Sequence, residues 1–587
     1  MVRWTNYAQE GLLMEIKGTE LFVKALKEEG VDTLFGYPGG MAIDLFDALY
    51  EVEGIDVVLP RHEQALIHEA DGYARSTGKV GVCLVTSGPG ATNLVTGIAT
   101  ANYDSVPLVC FTGQVMTSLI GNDAFQEVDI VGITRSICKW AVTVRSRKDL
   151  GRIIKEAFYI ARSGKPGPVV VDIPKDIQIA LGSDVYPSEV NIRGYKPTTV
   201  AHSGQIKKAM TALSRAKKPV FLIGGGVKIS HAEEEMTKLA ELTGVPVITT
   251  IMGKGAIDTK HPLYIGNIGM HGNYASNHAI TECDVLFSIG TRFNDRITGK
   301  ISEFAKNATI IHVDIDSASI SRNIIVDIPV VADAKNAIQM MLEHAKKLKI
   351  DHWVEEVQAW KEAYPITMEN YEGLTPEKII KTINTMFDDA IITTDVGQNQ
   401  LWTTQYLELG QKKQLCTSGG LGTMGYGFPA AIGAKIANPE RDVICISGDG
   451  GVQMNIQELA TAVANELPVI LCIFNNGYLG NVRQWQEMFF NKRYSSTCLR
   501  YRKRCTKDCM DEHKCCPKYT PDFVKLAESY EAKGIRVTKE EEIQAAFDAA
   551  KQNTTSPTVI EFIIEREANV LPIVPGGKPL NEMIMDY

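Results

Sequence analysis

The chain has 587 residues, too many for one hydrophobic core, and reads as about three or four domains. Charged residues make up 22% and hydrophobic residues 44%, the balance of a folded globular chain rather than a disordered one. A formal charge of −9 argues against a nucleic-acid partner, and with no run of about 18 apolar residues no membrane-spanning helix is expected.

The opening stretch MVRWTNYAQEGLLMEIKG lacks the apolar core and cleavage site of a signal peptide, and Met14 offers a second start after Met1. Of 12 cysteines, Cys83, Cys110, Cys138, Cys283, Cys416, Cys445 and Cys472 are scattered, most of them in apolar strand-like runs. Reduced core thiols of this kind point to the cytoplasm.

From residue 14 to 180 short β-branched runs alternate with amphipathic helices: GTELFVKALKEEG, VDTLFGYPGG, VGVCLVTSGPG, VPLVCFTGQ, PVVVDIPKD. That alternation predicts an α/β layer with a parallel sheet covered on both faces. Glu63 in RHEQ follows the strand IDVVLP and starts a helix that carries His68 and Asp71. A carboxyl there would hydrogen-bond N1′ of an aminopyrimidine and promote its imino tautomer; attraction to the helix dipole explains the same glutamate without a ligand. Ser87–Gly90 form a tight turn before a helix, a wall for an anion or simply a turn. Phe125 and Gln126, in GNDAFQEVD, combine an aromatic and an amide on a loop, as a substrate channel or a surface loop would.

The polar stretch SDVYPSEVNIRGYKPTTVAHSG reads as a linker of about 20 residues. A second α/β block, 200–345, begins with PVFLIGGG, whose Gly224, Gly225 and Gly226 resemble a dinucleotide turn or close helix–strand packing. In GTRFNDRITGK, Arg292 and Arg296 flank Asp295 after the strand CDVLFSIG and could grip a pyrophosphate or close a salt-bridged loop. Asp314 and Asp316 end the strand TIIHVDID, where an acidic side chain meets a ribose in dinucleotide folds. Together these features favour a bound nucleotide such as FAD in this block.

A polar helical connector leads to a third α/β block, 374–560, and a tail, 561–587. At its centre is GDGGVQMNIQELATAVANELPVILCIFNN, a strand–turn–helix–strand unit. It places Asp449 and Asn476 at the carboxyl ends of two parallel strands, where open α/β sheets bind ligands. A carboxylate and an amide oxygen suit Mg²⁺, which shares its shell with phosphate oxygens, and Gly448, Gly450 and Gly451 let backbone approach a diphosphate. An aspartate capping an ordinary β–turn–α unit would also give the GDG, but not the paired asparagines at the end of the next strand.

GYPGG, RHEQ, TSGPGATN, GNDAFQE, IGMHG, RFNDRITGK, DVGQ, SGGLGTMGYGFPAAIGA and GDG…NN occur in order over nearly the whole chain. In these motifs the sequence resembles the catalytic large subunits of the acetolactate (acetohydroxyacid) synthase family. Several motifs belong to the wider pyruvate oxidase and decarboxylase superfamily, and RFNDRITGK and LGNVRQWQ narrow the resemblance to this branch. It implies three α/β sandwich domains: one for the pyrimidine of thiamine diphosphate (14–180), one for FAD (200–345), and one for the diphosphate and Mg²⁺ (374–560). It implies Mg²⁺ ligands Asp449, Asn476 and the main-chain carbonyl of Tyr478. Val396, Gly397, Gln398, Asn399, Gly450 and Gly451 would lie along the diphosphate, Gly40 near the aminopyrimidine, and Met424 under the bent cofactor. Phe125, Gln126 and Lys175 match channel positions, and Trp485 matches the tryptophan that shapes the site for the second 2-oxo acid. For FAD the matching positions are Lys165, Gly224–Gly226, Ile268, Gly269, Met270, His271, Gly290, Arg292, Asp295, Arg296, Asp314 and Ile315. The implied reaction decarboxylates pyruvate through a ThDP ylide. The resulting hydroxyethyl carbanion is added to pyruvate or 2-oxobutyrate, in branched-chain amino-acid biosynthesis. A homodimer or homotetramer with sites between subunits (Glu63 of one chain facing Asp449 of the other) and a separate regulatory small subunit are implied too. FAD in this family is not turned over.

Asn399, Asn481, Lys165 and Met116 depart from the family's usual histidine, methionine, arginine and proline at those positions. The larger departure is TCLRYRKRCTKDCMDEHKCCPKYTPDF, where relatives have a shorter link. It holds Cys498, Cys505, Cys509, Cys515 and Cys516 with His513 and the basic residues Arg500, Arg502, Lys503, Arg504 and Lys507. Cys505, Cys509, Cys515 and Cys516 would make a second metal site, for Zn²⁺ or an iron–sulfur cluster; a redox-sensitive disulfide and a merely solvated loop are the alternatives. Of the rival functions, a sister oxidase or decarboxylase would lack Trp485 and RFNDR, and a non-catalytic sensor would lack Glu63, Asp449 or Asn476. All of these are present.

Overall fold

The computed structural model describes residues 15–410, 412–500 and 519–587. Two compact units form: one from the residues up to Ala70 with Val80–Tyr195, the other from Asp71–Lys79 with Lys196–Tyr587.

The first unit contains β1 (Glu15–Lys17), β2 (Thr33–Tyr37), β3 (Asp56–Val58), β4 (Gly81–Val85), β5 (Leu108–Gln114), β6 (Trp140–Thr143), β7 (Val169–Pro174) and β8 (Leu181–Ser183). Six of them form one sheet in the order β3-β2-β4-β5-β7-β6, every pairing parallel. Every residue of β4, β5 and β7 is buried. Runs such as GVCLV and LVCFTGQ are apolar on both faces because helices cover both faces of a parallel sheet. The polar stretch after Lys175 is ordered at its start: the helix Lys175–Ile179 leads into β8, which pairs antiparallel with β1. Arg147 pins that pair, donating from Nη2 to the carbonyls of Ile16 (2.9 Å) and Ser183 (3.3 Å). Residues 184–202 then carry neither helix nor strand.

The second unit holds two such sheets. The central one comprises β9 (Pro219–Ile223), β10 (Val247–Thr249), β11 (Tyr264–Asn267), β12 (Val285–Ile289), β13 (Thr309–Asp314) and β14 (Ile328–Val331). The last comprises β15 (Ile391–Thr394), β16 (Gln414–Thr417), β17 (Val443–Gly448), β18 (Val469–Asn475), β19 (Lys533–Val537) and β20 (Thr558–Ile563). Their orders are β11-β10-β9-β12-β13-β14 and β16-β15-β17-β18-β20-β19, again parallel throughout. The three α/β layers with parallel sheets are those the alternating strand and helix pattern predicts.

Strand order says where ligands can sit. Renumbered from their own first strand, β2 and β15, the first and last sheets share the order 2-1-3-4-6-5. The central sheet, renumbered from β9, has the dinucleotide-binding order 3-2-1-4-5-6. In each order the direction of winding reverses beside the sheet's first strand. Loops leaving the two flanking strands there diverge to opposite faces and open a crevice. The three crevices fall between β2 and β4, between β9 and β12, and between β15 and β17.

No described helix is long and apolar enough to cross a membrane. The central core is anchored by Phe221 and Phe287, register partners on β9 and β12, fully buried, with ring centroids 5.5 Å apart in a T-shaped pair. Replacing Phe221 by alanine leaves a cavity between sheet and helices and is expected to lower stability by about 3–5 kcal/mol. A urea midpoint unchanged by Phe221→Ala would contradict this packing.

Candidate active site

At the crevice of the last sheet, the loops after β15 and β17 carry DVGQ and GDGG. Asp449 is 2% exposed, and its Oδ2 accepts the Gly477 N–H at 3.1 Å. Asn476, just past β18, accepts the Tyr478 N–H on Oδ1 (3.0 Å) and donates from Nδ2 to Gln398 Oε1 (3.3 Å). Asp449, Asn476 and the Gly477–Tyr478 backbone therefore form one knot of oxygen donors on the loops of two adjacent strands. Burial pushes the Asp449 carboxyl from 3.8 up to about 7, opposed by backbone N–H donors and by the charge of Arg500. Among the described residues no group of three or more His, Cys, Asp or Glu is placed to hold a metal. An ion at this knot would meet one carboxylate and neutral oxygens, a donor set that suits Mg²⁺.

The glycines are needed for close approach. A Cβ on Gly450 would lie 2.8 Å from Leu479 Cδ2 and 3.9 Å from Met424 Cε, so Met424 stands beside the GDG turn. A Cβ on Gly451 would lie 2.6 Å from Asp395 Oδ1. Asp395 is the organiser that sequence reasoning passed over. Its carboxylate accepts the N–H groups of Val396 (2.7 Å), Gly425 (3.0 Å) and Gly427 (3.4 Å), tying DVGQ to the loop of Met424. Burial raises it to about 6, against those same donors. The signal available in the sequence was an aspartate at a strand end before a glycine turn. Asn399 donates from Nδ2 to the carbonyls of Asp395 (2.9 Å) and Ile446 (3.1 Å), leaving Oδ1 toward Gly448.

Trp485 lies on the helix Gly480–Phe489. That helix is fixed by fully buried Arg483, paired with Glu487 (2.6 Å), and by Gln484, which donates to the Val570 carbonyl (3.0 Å). Trp485 Nε1 and, one turn earlier, Asn481 Oδ1 are buried and lack a hydrogen-bond partner among the described residues. A donor and an acceptor left open on one helix face are places a polar ligand can fill.

In the central sheet the expected FAD segments meet. Gly226 N–H donates to the Gly290 carbonyl (3.2 Å), and a Cβ on Gly224 would collide with that carbonyl. The Met270 N–H donates to the Arg296 carbonyl (2.8 Å), joining IGMHG to RFNDR. A Cβ on Gly269 would strike the same carbonyl. His271 hydrogen-bonds through Nδ1 to the Pro572 carbonyl (3.3 Å), and burial takes its pKa down to about 4, so it is neutral near pH 7. Asp314 ends β13 and accepts the Asp316 N–H at 2.8 Å, with Ile315 between them. The side chains of Asp295 and Arg296 are largely exposed and 3.8 Å apart, and Arg292 is half-buried.

Within the first unit, Lys175 Nζ donates to the Gly40 carbonyl (3.0 Å) and pairs with Asp44 (3.1 Å). Glu63 accepts on Oε2 from Asn93 Nδ2 (2.9 Å), a partner the motif did not reveal. A Cβ on Gly90 would stand 3.5 Å from Glu63 Oε1, and one on Gly88 would lie 2.7 Å from the Gln126 carbonyl. Phe125, next to Gln126, is 83% exposed. The loops after β2 and β4 thus gather Gly40 with Lys175 and, separately, Glu63 with the Ser87–Gly90 turn and Gln126. Lys165 is half-buried beside Lys139, whose pKa falls to about 8 through burial and then through the Lys165 charge. Asp71 instead serves the second unit, binding Arg75 (2.6 Å) and the Tyr426 hydroxyl (2.7 Å). Cys505, Cys509, Cys515 and Cys516 lie outside the described residues; the described cysteines are all free thiols.

Family models place the chain in a class. Thiamine pyrophosphate enzyme models match three times: the N-terminal TPP-binding domain over residues 16–133, the central domain over 206–341, and the C-terminal TPP-binding domain over 395–562. The relatives narrow it further. The probable acetolactate synthase large subunit of Methanococcus aeolicus is 46% identical over 589 residues, covering 96% of this chain and 95% of its own. The acetolactate synthase isozyme 3 large subunit of Escherichia coli K12 is 42% identical over 581 residues (97% and 98%). The acetolactate synthase large subunit of Cyanidium caldarium is 42% identical over 596 residues (99% and 98%). The chain belongs to the acetolactate synthase large-subunit family of thiamine-diphosphate-dependent enzymes.

The Asp449 pKa gives a stability prediction for the ligand-free protein. A carboxyl raised from 3.8 to about 7 holds its proton in the fold at pH values where the unfolded chain has lost it. Stability is therefore lost as pH rises between those values. Asp449→Asn, which cannot ionise, is expected to gain in melting temperature relative to wild type from pH 5 to pH 8. A constant difference across that range would contradict the burial of this carboxylate.

Proposed function

We propose that the chain condenses two 2-oxo acids: pyruvate with pyruvate to 2-acetolactate, and pyruvate with 2-oxobutyrate to 2-aceto-2-hydroxybutyrate. The observation that carries the reading is the buried Asp449 carboxylate knotted to Asn476 and the Gly477–Tyr478 loop. Bound thiamine diphosphate supplies a nucleophilic carbon and an electron sink for decarboxylation. Asp449, Asn476 and the Tyr478 carbonyl would hold Mg²⁺, with Val396–Asn399, Gly450 and Gly451 along the diphosphate and Met424 against the thiazolium. Gly40 and Glu63 would take the pyrimidine. There Glu63 would hold a proton at N1′, with Asn93 fixing the orientation of its carboxyl. Phe125, Gln126 and Lys175 would line the entrance, where a lysine favours a 2-oxo acid carboxylate. Trp485, with its open N–H, would select the second substrate.

FAD would occupy the central crevice, held by Gly224–Gly226, Gly269–His271, Gly290–Arg296 and Asp314–Ile315, with Lys165 contributing. The dinucleotide-binding strand order and the glycine contacts between its loops support that reading. The three domains would then be 14–180 for the pyrimidine, 200–345 for FAD and 374–560 for diphosphate and Mg²⁺. The relatives are named large subunits, which supports a separate small subunit. A homodimer or homotetramer in the cytoplasm, working in branched-chain amino-acid synthesis, completes the reading. Cys505, Cys509, Cys515 and Cys516 are proposed, on sequence alone, as a second metal site. Protein purified without oxygen should then carry zinc or iron beyond added Mg²⁺, and metal-free protein would remove that site.

The direct test is product analysis with pyruvate and 2-oxobutyrate, leaving out thiamine diphosphate, Mg²⁺ and FAD in turn. Both acetohydroxy acids are expected, and neither without thiamine diphosphate or Mg²⁺. Acetaldehyde or acetyl phosphate as the main product would move the chain to a sister activity. Glu63→Gln is expected to lower kcat by about 100-fold or more, since it cannot pass the proton. Near-normal turnover in that variant would remove Glu63 from the chemistry.

A further inference from the structure

We infer that Arg500 is a further cofactor-site residue: its guanidinium sets a fixed positive charge against the loop Gly477–Leu479 and, through it, favours a bound diphosphate. This rests on the thiamine diphosphate and Mg²⁺ reading above, and it assigns a role to a residue that none of the recognised motifs contains.

The geometry begins with backbone. At the start of the cysteine-rich stretch, residues 497–499 lie antiparallel to the loop 477–479. Leu479 N–H donates to the Thr497 carbonyl (2.9 Å), Leu499 N–H donates to the Gly477 carbonyl (2.9 Å), and Tyr478 bridges Cys498. This ribbon delivers the next side chain to Gly477. A Cβ there would stand 2.6 Å from Arg500 Nε, 3.0 Å from its Cδ and 3.2 Å from its Cγ. The arginine occupies the space that the glycine, at φ +73°, leaves open. Gly477 is the residue whose N–H binds Asp449, and the Arg500 charge is felt at that carboxylate. A second guanidinium, that of Arg566, lies on the same loop, stacked 4.5 Å from the Tyr478 ring centre and 3.9 Å from Cys498 Sγ.

Electrostatics makes the placement consequential. A diphosphate ester and Asp449 together carry more negative charge than one divalent cation neutralises. A guanidinium next to the knot offsets the remainder and strengthens hydrogen bonds to phosphate oxygens in a partly buried setting. Arg500 is thus a positioning and electrostatic residue for cofactor binding, and it joins the cysteine-rich stretch in sequence to the cofactor loop.

Binding of thiamine diphosphate to the full-length protein, followed by tryptophan fluorescence at saturating Mg²⁺, tests this apart from turnover. R500Q is expected to raise the Kd for thiamine diphosphate about tenfold, the scale of one charge-assisted contact, and R500K to recover most of that loss. The Kd for thiamine, which lacks phosphates, should stay the same in all three proteins. Equal thiamine diphosphate Kd values in wild type and R500Q would overturn the inference and leave the proposed function standing. Equal losses for thiamine and its diphosphate, or in R500Q and R500K, would mark a packing role and overturn it too. A wild-type protein that does not bind thiamine diphosphate with Mg²⁺ would overturn both readings.

Discussion

A carboxylate removed from water at the end of a strand is the constraint on which the site depends. Asp449 gives up hydration to sit at the β17 terminus, and burial, only partly offset by backbone N–H donors and the Arg500 charge, leaves its pKa at about 7. The fold answers with backbone N–H groups, that of Gly477 among them, with glycines that leave no Cβ in the way, and with the Arg500 charge. Asp395 repeats the arrangement from β15 for a structural end. Its carboxylate is also buried, but three backbone N–H groups consume it, and it serves to hold the Met424 loop. Two aspartates from neighbouring strands thus have different fates. The one saturated by backbone holds a loop in shape, and the one left with spare oxygen can meet a cation.

Strand order explains why such groups collect where they do. The first and last sheets share one order, and in both the loops flanking the crevice carry the candidate motifs: GYPGG and TSGPG in the first, DVGQ and GDG in the last. Parallel strands with helices on both faces leave few other places where backbone N–H groups and short side chains converge. The central sheet has a different order, that of dinucleotide folds, and its glycine loops touch at the corresponding reversal. One architectural principle is used here in two topologies.

Much of this was legible in the sequence, for local reasons. Short β-branched runs announced most of the parallel strands, though not β6, β11, β14, β16 or β19, and the pair of asparagines after PVILCIF pointed beyond an ordinary helix cap at GDG. The illegible parts depend on contacts between distant segments. Asn93 reaches Glu63 across 30 positions, and no spacing rule foretells that partner. Asp395 looks like any strand-terminal aspartate until the Gly425 and Gly427 N–H groups are seen to close on it. Arg500 reads as one basic residue among several, and only the ribbon between 477–479 and 497–499 shows where it points. Leu181–Ser183 reads as the edge of a polar linker, and its pairing with β1 comes from a strand far back in the chain.

The most direct test of the central claim is a structure of the protein with thiamine diphosphate and Mg²⁺ bound. The account predicts one octahedral ion, about 2.0–2.1 Å from Asp449 Oδ, Asn476 Oδ1 and the Tyr478 carbonyl, with two diphosphate oxygens completing most of its shell. A metal or diphosphate seated away from these three residues, with Asp449 still closed on the Gly477 N–H and nothing else, would contradict it.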